Sequence, residues 1–216
     1  SSITFTTANW NTPQTVTVTG VDDYVVDGNI SYTIQVGPSS SSDSYYNGID
    51  PPDINMVNTD NDVAAVVVNP TSGLTTTEAG GTATFTVRLV AQPGANVSLT
   101  LNSSNTAEGT VSPASLTFTS TDWATPKTVT VTGVDDYVDD GDVTYFIQTS
   151  GTTSTDLLFN NLNVADVTVI NTNNDVAGIV VQPTSGLTTT EGGGQANFTI
   201  RLNSQPVSSV TVGLSS

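Results

Sequence analysis

Between residues 64 and 175 apolar side chains alternate with Thr and Ser at every second position, the period of a half-buried β-strand, and no segment spaces its apolar residues as a helix would. β-Branched residues dominate these runs, which favours a pleated surface. The pattern predicts seven strands, over residues 65–69, 82–90, 96–102, 115–119, 127–132, 142–149 and 166–171. Alternation also assigns faces. Ala83, Phe85, Val87 and Leu89 point one way, with Thr82, Thr84, Thr86 and Arg88 on the other. Leu116 with Phe118, Val129 with Val131, and Tyr145 with Ile147 repeat the arrangement. One apolar face per strand and polar turns between strands predict two antiparallel sheets packed face to face, with Thr-rich outer faces.

The whole pattern recurs. Shifted by 113 positions the sequence overlays itself without a gap, and about 56 of the 103 overlapping positions (216 − 113) are identical. Pro70–Glu78 returns as Pro183–Glu191, and Thr15–Val25 as Thr128–Val138. A period of this length is an ordinary domain and too long for a solenoid unit. The expected fold class is therefore all-β, with tandem antiparallel β-sandwich domains of about seven strands each, end to end. The phase of the repeat divides the chain into the back part of one sandwich (1–62), a complete one (63–175) and the front part of a further one (176–216). The step from Asp62 through Val63-Ala64-Ala65 into the next strand carries no flexible Gly/Ser stretch, so a stiff rod is expected.

The chain equals two periods less ten residues, and those ten correspond to 104–113, expected to be a loop between strands. Two explanations compete: a window cut from a longer array, or head-to-tail assembly in which one copy's front part completes another copy's back part by contributed strands. Either way, apolar faces such as those of Phe5, Val16, Tyr32 and Phe198 are expected to need a cover.

Composition narrows the chemistry. There is no Cys and no His, which removes disulfides, thiolates, imidazole bases and the usual zinc ligands together. Twenty acids against three bases, a formal charge of −17, disfavour nucleic acid and anionic membranes as partners. No apolar run reaches the length of a membrane span. Abundant Thr, Ser, Asn and Gly with a single Lys fit an extracellular β-protein.

The acids are sparse on the strands and gather at three places. Glu78, repeated as Glu191, stands in a Gly-rich turn; Asp135, Asp136, Asp139, Asp140 and Asp142 form a run whose earlier copy is Asp22, Asp23 and Asp27; and each unit's exit carries Asp60 and Asp62, or Asp175 with its Asn neighbours. Two readings stand side by side: a solvated acidic turn that keeps the chain soluble, or a hard cation with six to eight oxygen ligands, for which Ca²⁺ is the usual extracellular choice. The run lacks the alternating order and twelfth-position Glu of an EF-hand loop. In an antiparallel sandwich the three acidic segments are candidates to converge at one pole, which is unfavourable without a counter-ion.

At these residues the sequence resembles the Calx-β family of calcium-binding β-sandwich domains. The resemblance rests on Glu followed by Gly-Gly (Glu78, Glu191), on Val134-Asp135-Asp136 after a Thr-Val-Thr-Val strand, and on the Asp/Asn-rich exit 171–175. It implies an immunoglobulin-like, Calx-β-like sandwich with calcium held by Glu78, Asp135, Asp136 and Asp175. The chain departs from the family where exit acids are Asn, and where only Asp27 follows the Asp22-Asp23 pair, so affinity is expected to differ between copies. The repeat wording around 104–113 is also similar to very long bacterial surface proteins.

These features favour a structural segment of an extracellular, bacterial cell-surface adhesin or filament, with copies of itself or adjacent repeats as partners. The alternative is a glycan-binding sandwich using Trp123, Tyr137, Tyr45 or Tyr46. Against it, Trp123 and its copy Trp10 fit a plug at one end of the sandwich, Tyr137 and Tyr24 fit anchors packing the acidic turn, and Tyr45-Tyr46 becomes Leu158-Phe159. An enzyme is not expected, because no carboxylate lies in an apolar sequence context that would raise its pKa. Lys127, opposite Gln14 in the repeat, reads as surface variation.

Overall fold

The computed structural model describes all 216 residues and divides into two compact units, Ser1–Asp62 and Val63–Ser216. The first unit contains one antiparallel hairpin, β1 (Ile30–Ile34) with β2 (Ile54–Asn58). The second runs through β3 (Val66–Asn69), β4 (Leu74–Thr77), β5 (Thr82–Leu89), β6 (Val97–Ser103), β7 (Gly109–Ser112), β8 (Ser115–Phe118), β9 (Lys127–Gly133), β10 (Val143–Thr149), β11 (Thr153–Ser154) and β12 (Val167–Thr172). It ends in a separate hairpin of β13 (Ile179–Gln182) and β14 (Thr199–Leu202). No helix is long and apolar enough to cross a membrane.

Residues 63–175 form an all-β sandwich. One sheet has the order β3-β5-β9-β7; the other has β11-β6-β10-β12-β4, with β8 also pairing β6. Pairing is antiparallel except between β12 and β4, which run parallel. That exception follows from the connection: β3 and β4 are consecutive but lie in different sheets, so the chain crosses the sandwich between them instead of folding back as a hairpin.

All seven strands expected in this unit are present, and their faces are as the alternation predicts. Phe85, Val87, Leu89, Val129 and Val131 from one sheet meet Leu99, Leu101, Phe118, Tyr145, Ile147 and Val169 from the other, each at most 1% exposed. The alternating positions of these strands, such as Thr82, Thr84, Thr117 and Thr144, face outward. Truncating any of these large side chains to Ala would cost about 2–5 kcal/mol through lost transfer energy and the cavity left behind.

Three strands were not anticipated: β4, β7 and β11. Residues 104–113, expected to be a loop, contain β7, an edge strand on β9. A short 3₁₀ turn at Leu157–Phe159, capped by Asp156 accepting from Leu158 N at 3.0 Å, delivers Phe159 into the core.

Trp123 is half-buried, and its carbonyl accepts from Leu89 N at 2.9 Å where the chain enters β9. Lys127 is more than surface variation. Its ammonium donates to Asp122 Oδ2 at 2.7 Å and to the Thr117 carbonyl, and sits 4.9 Å from the centre of the Phe118 ring. In the earlier copy Gln14 Nε2 donates to Thr4 O at 2.8 Å while Asn9 caps Thr6. The positions of Asp122 and Lys127 are thus held in the earlier copy by the neutral Asn9 and Gln14, each bonded to the backbone.

The incomplete units behave differently. No residue of 1–62 or 176–216 is fully buried. The sequence Thr-Val-Thr-Val-Thr-Gly forms most of β9 at 128–133, yet its identical copy at 15–20 forms no strand. The β9 copy is held between β5 and β7, whereas the sequence at 15–20 has neither neighbour within its unit. Intrinsic preference is the same in both; pairing decides.

One glycine limits how closely the elements approach. A Cβ at Gly133 would fall 2.2 Å from the Thr77 carbonyl oxygen and 2.6 Å from Asn171 Oδ1. Backbone cannot yield as a flexible side chain does, so Gly133→Ala is expected to destabilise the 63–175 sandwich by about 1–3 kcal/mol, as overpacking does. Ala at Gly20, whose added carbon meets only the Asn58 side chain, should cost less. Urea denaturation of the two variants distinguishes them.

Candidate metal centre at the acidic pole

β4, β9 and β12 end together. Thr77 is in register with Thr172, Glu78 N donates to Thr172 O at 3.2 Å, and Gly133 N donates to Gly81 O at 3.0 Å. The three segments that leave these strands carry the Glu78 turn, the 135–142 run and the 173–175 exit, so the fold brings the three acidic segments to one pole.

Hydrogen bonds tie the segments to one another. Asn174 donates its backbone N to Glu78 Oε2 at 2.7 Å and its side-chain amide to Asp135 Oδ1 at 3.2 Å. Asn173 donates its backbone N to Asp142 Oδ1 at 3.1 Å and its amide to Asp139 Oδ1 at 3.2 Å. Asp139 Oδ2 also accepts from Ala177 N at 2.7 Å. Beneath them lies a buried polar column: the Tyr145 hydroxyl is 3.1 Å from Thr76 Oγ1, which donates to Asn171 Oδ1 at 2.9 Å, and Asn171 Nδ2 donates to Glu108 Oε2 and to the Val134 carbonyl, both at 3.2 Å. Asn171 is 1% exposed, so its amide fixes the floor of the pole.

Glu108 was not among the residues expected here. It is 5% exposed, and one oxygen each from Glu108, Asp136 and Asp140 lie within 4.8 Å of one another. The repeat offers no second copy of this glutamate for comparison, because positions 104–113 fall between the chain's two overlapping stretches. A usable signal was the scarcity of Glu itself: Glu78, Glu108 and Glu191 are the only three.

Charge accumulates without a cationic partner. Burial pushes the Glu78 carboxyl above its ordinary value of 4.5, opposed by the Asn174 hydrogen bond and reinforced by Asp136, Asp175 and Asp140. Burial, followed by the charges of Asp135, Asp136 and Asp139, raises Asp175 above 3.8. Asp175 Oδ2 is buried and has no hydrogen-bond partner. An orphaned carboxylate oxygen facing other carboxylates is what a hard cation would satisfy, and the donor set, all oxygen, suits calcium. Glu108, Asp136 and Asp140 are close enough to share it, Glu78 and Asp175 lie within reach of their charge, and Asp135, Asp139 and Asp142 accept hydrogen bonds from the exit segment. The cation would supply positive charge and cross-link three loops.

In the first unit Asp22, Asp23, Asp27, Asp60 and Asp62 line a shallow groove. Asp60 accepts from Gly28 N and Asp62 N, both at 2.8 Å, and the Asp62 hydrogen bond, then the Gly28 one, lowers its pKa. Asp62 is raised by desolvation and then by Asp60, Asp22, Asp23 and Asp27. The geometry parallels the complete unit with the charge exchanged: Asp60 N donates to Asn29 Oδ1 at 3.0 Å, where Asn173 N donates to Asp142. Glu191 lies in the exposed turn bridged by Thr190 and Gly194 and is not brought to the other acids. One expectation about the aromatics needs correction: the Tyr137 ring is 67% exposed, and its turn is held by hydrogen bonds to carboxylates, as Val138 N donates to Asp136 Oδ1 at 2.7 Å.

No family model and no curated protein sequence matches the chain. Solved structures of similar fold include the apo-form Calx CBD1 domain, 16% identical over 53% of this chain and 100% of that one, with a TM-score of 0.42. Domains 4 and 5 of the S-layer protein SbsC are 23% identical over 58% and 59%, TM-score 0.32. The E. coli chaperone DraB is 11% identical over 68% and 89%, TM-score 0.37.

The pKa shifts set a pH dependence. A carboxyl raised in the folded state contributes stability that is complete below its unfolded value and lost as pH rises through the folded one. In chelator the sandwich should therefore melt at a higher temperature as pH falls from neutral towards about 4.5, the ordinary value of Glu78. Asp122 acts oppositely: the Lys127 hydrogen bond holds it down to about 2, so its contribution is lost only below that window. Calcium should flatten the rise; thermal melts across pH, with and without it, are the check.

Proposed function

We propose that this chain is a structural repeat segment of an extracellular surface adhesin or filament, made stiff by calcium at its acidic pole. The buried, unpartnered Asp175 Oδ2 carries the calcium part, because it stands among like charges with no base nearby. Support for the structural part comes from the gapless repeat and from the short step between units. The resemblance of Glu78, Val134-Asp135-Asp136 and the 171–175 exit to Calx-β domains points the same way. So do neighbours of similar fold described as S-layer and pilus chaperone proteins, for a surface location.

Calcium would act on mechanics. Glu78, Glu108, the 135–142 run and Asp175 belong to segments far apart in sequence, and a shared cation would stop the exit strand from pivoting on the sandwich. Residues 173–177 lead directly into β13, so fixing them would stiffen the junction to the next repeat.

Calcium titrated into chelated protein is expected to raise the melting temperature. At a hundredfold excess over its dissociation constant it would stabilise by about 2.7 kcal/mol. Asp136→Asn should remove most of that gain while leaving the melt in chelator unchanged or higher. An identical melt with calcium and with chelator would remove calcium from the proposal and leave the structural segment.

A further inference from the structure

We infer that the 135–142 turn is a docking surface for the repeat that follows it in the same chain, and that Asp139 is the positioning residue that fixes the angle at which that repeat leaves the sandwich. The inference rests on reading the chain as an array of like domains, and not on calcium. The occupant is the β13–β14 hairpin, which the turn holds at both strands. Ala177, just ahead of β13, donates its N–H to Asp139 Oδ2 at 2.7 Å, and Gln205, just past β14, donates its N–H to the Tyr137 carbonyl at 2.5 Å. Asn203 N donates to Gly178 O at 2.9 Å, which closes the base of the hairpin between these two points. One hydrogen bond leaves a hairpin free to swivel about it. Two bonds, one to each strand, remove that freedom.

Asp139 also reaches back to the sandwich. Its Oδ1 accepts from Asn173 Nδ2 at 3.2 Å, so one carboxylate bridges residue 173, at the end of β12, and residue 177, at the start of the next repeat. Between them Val176 is 70% exposed and contributes little packing to hold the step. Hydrogen bonds to an ionised acceptor are stronger than neutral ones, which suits a joint exposed to water. The turn presents Asp139 on fixed backbone, since Val138 N donates to Asp136 Oδ1 at 2.7 Å and Asp140 N to Val138 O at 3.0 Å. Both Asp139 oxygens are engaged in the joint, and Asp139 stands outside the Glu108, Asp136 and Asp140 group.

The repeat singles out the same residue. Tyr137, Ala177 and Gln205 recur as Tyr24, Ala64 and Gln92, whereas Asp139 is replaced by Val26 and Asn173 by Asp60. The two exchanges are chemically linked. An amide donates to a carboxylate, but two ionised carboxylates at these positions would repel and neither could donate. Valine beside aspartate avoids the repulsion and offers no acceptor. The residues that dock through their backbone are therefore the same in both copies, and the carboxylate is what differs.

Amide hydrogen exchange on the full chain in chelator tests the bond itself. Asp139→Val should speed exchange at Ala177 on the order of tenfold, the loss expected for one hydrogen bond to a charged group. Asp139→Asn keeps an acceptor for Ala177 N and should retain most of the protection, and neither change should lower the melt of the 63–175 sandwich. The chain has no cysteine, so Thr84→Cys with Thr199→Cys, both exposed, gives a clean pair of spin-label sites on the sandwich and on the hairpin. The distance distribution between the labels should be narrow and should broaden with Asp139→Val, and with Gln205→Pro, which removes the second donor. Tyr137→Phe keeps the docking carbonyl and should leave it unchanged. Equal Ala177 exchange in the parent and Asp139→Val chains, or distributions of equal width, would overturn the dock. Equal widths that calcium narrows alike overturn it and leave calcium standing. A distribution that Asp139→Val broadens and calcium does not alter upholds the dock and counts against calcium.

Discussion

Everything in this chain depends on a sandwich being closed by strands from both ends of its repeat. Hairpins within one half, such as β1 with β2 and β13 with β14, form locally, but each presents an apolar face that its own half does not cover. The faces are satisfied only when the central strands β5 and β6 are inserted against β9 and β10. The internal control is unusually direct, since one six-residue sequence occurs twice and is a strand only where its neighbours are present. Backbone donors and acceptors explain why: a strand without a ladder partner gains nothing over a solvated extended chain, while a paired one also buries alternate side chains.

The same closure builds the acidic pole. β4, β9 and β12 each deliver one acidic segment, and they converge because β4 crosses to the second sheet and runs parallel beside β12. Asn171 then connects the column from Tyr145 and Thr76 to Glu108, so the charged surface stands on a buried, hydrogen-bonded base. Fixed polar groups under a concentration of carboxylates hold repulsion in place where mobile loops would disperse it. That is a costly arrangement for a chain with only three basic residues, and it is tolerable where a counter-ion is at hand.

Strand alternation was legible wherever one face was apolar, and it identified the main sheets and the core. It failed for β4, whose Leu-Thr-Thr-Thr has no alternation and whose buried Thr76 is a polar core residue, and for β7, where Gly and Ser read as a turn. The acidic segments were legible as clusters because they recur. Glu108 was not, since it occurs once, and its approach to Asp136 and Asp140 comes from the pairing of β7 with β9. The exposure of Tyr137 was likewise invisible to composition, because the turn is held by its own carboxylates accepting backbone N–H groups, as Asp136 accepts from Val138.

Differences between the copies follow a rule that the fold explains. Asn29 with Asp60 becomes Asp142 with Asn173, and Asn9 with Gln14 becomes Asp122 with Lys127. In each case the bonds to backbone persist while the charge moves or appears. A backbone N–H is satisfied equally by an amide oxygen or a carboxylate, so exchange at these sites leaves loop geometry unchanged and alters only the local field. The geometry of the pole is thus set by the closed sandwich, while the charge at its hydrogen-bonding positions differs between the copies.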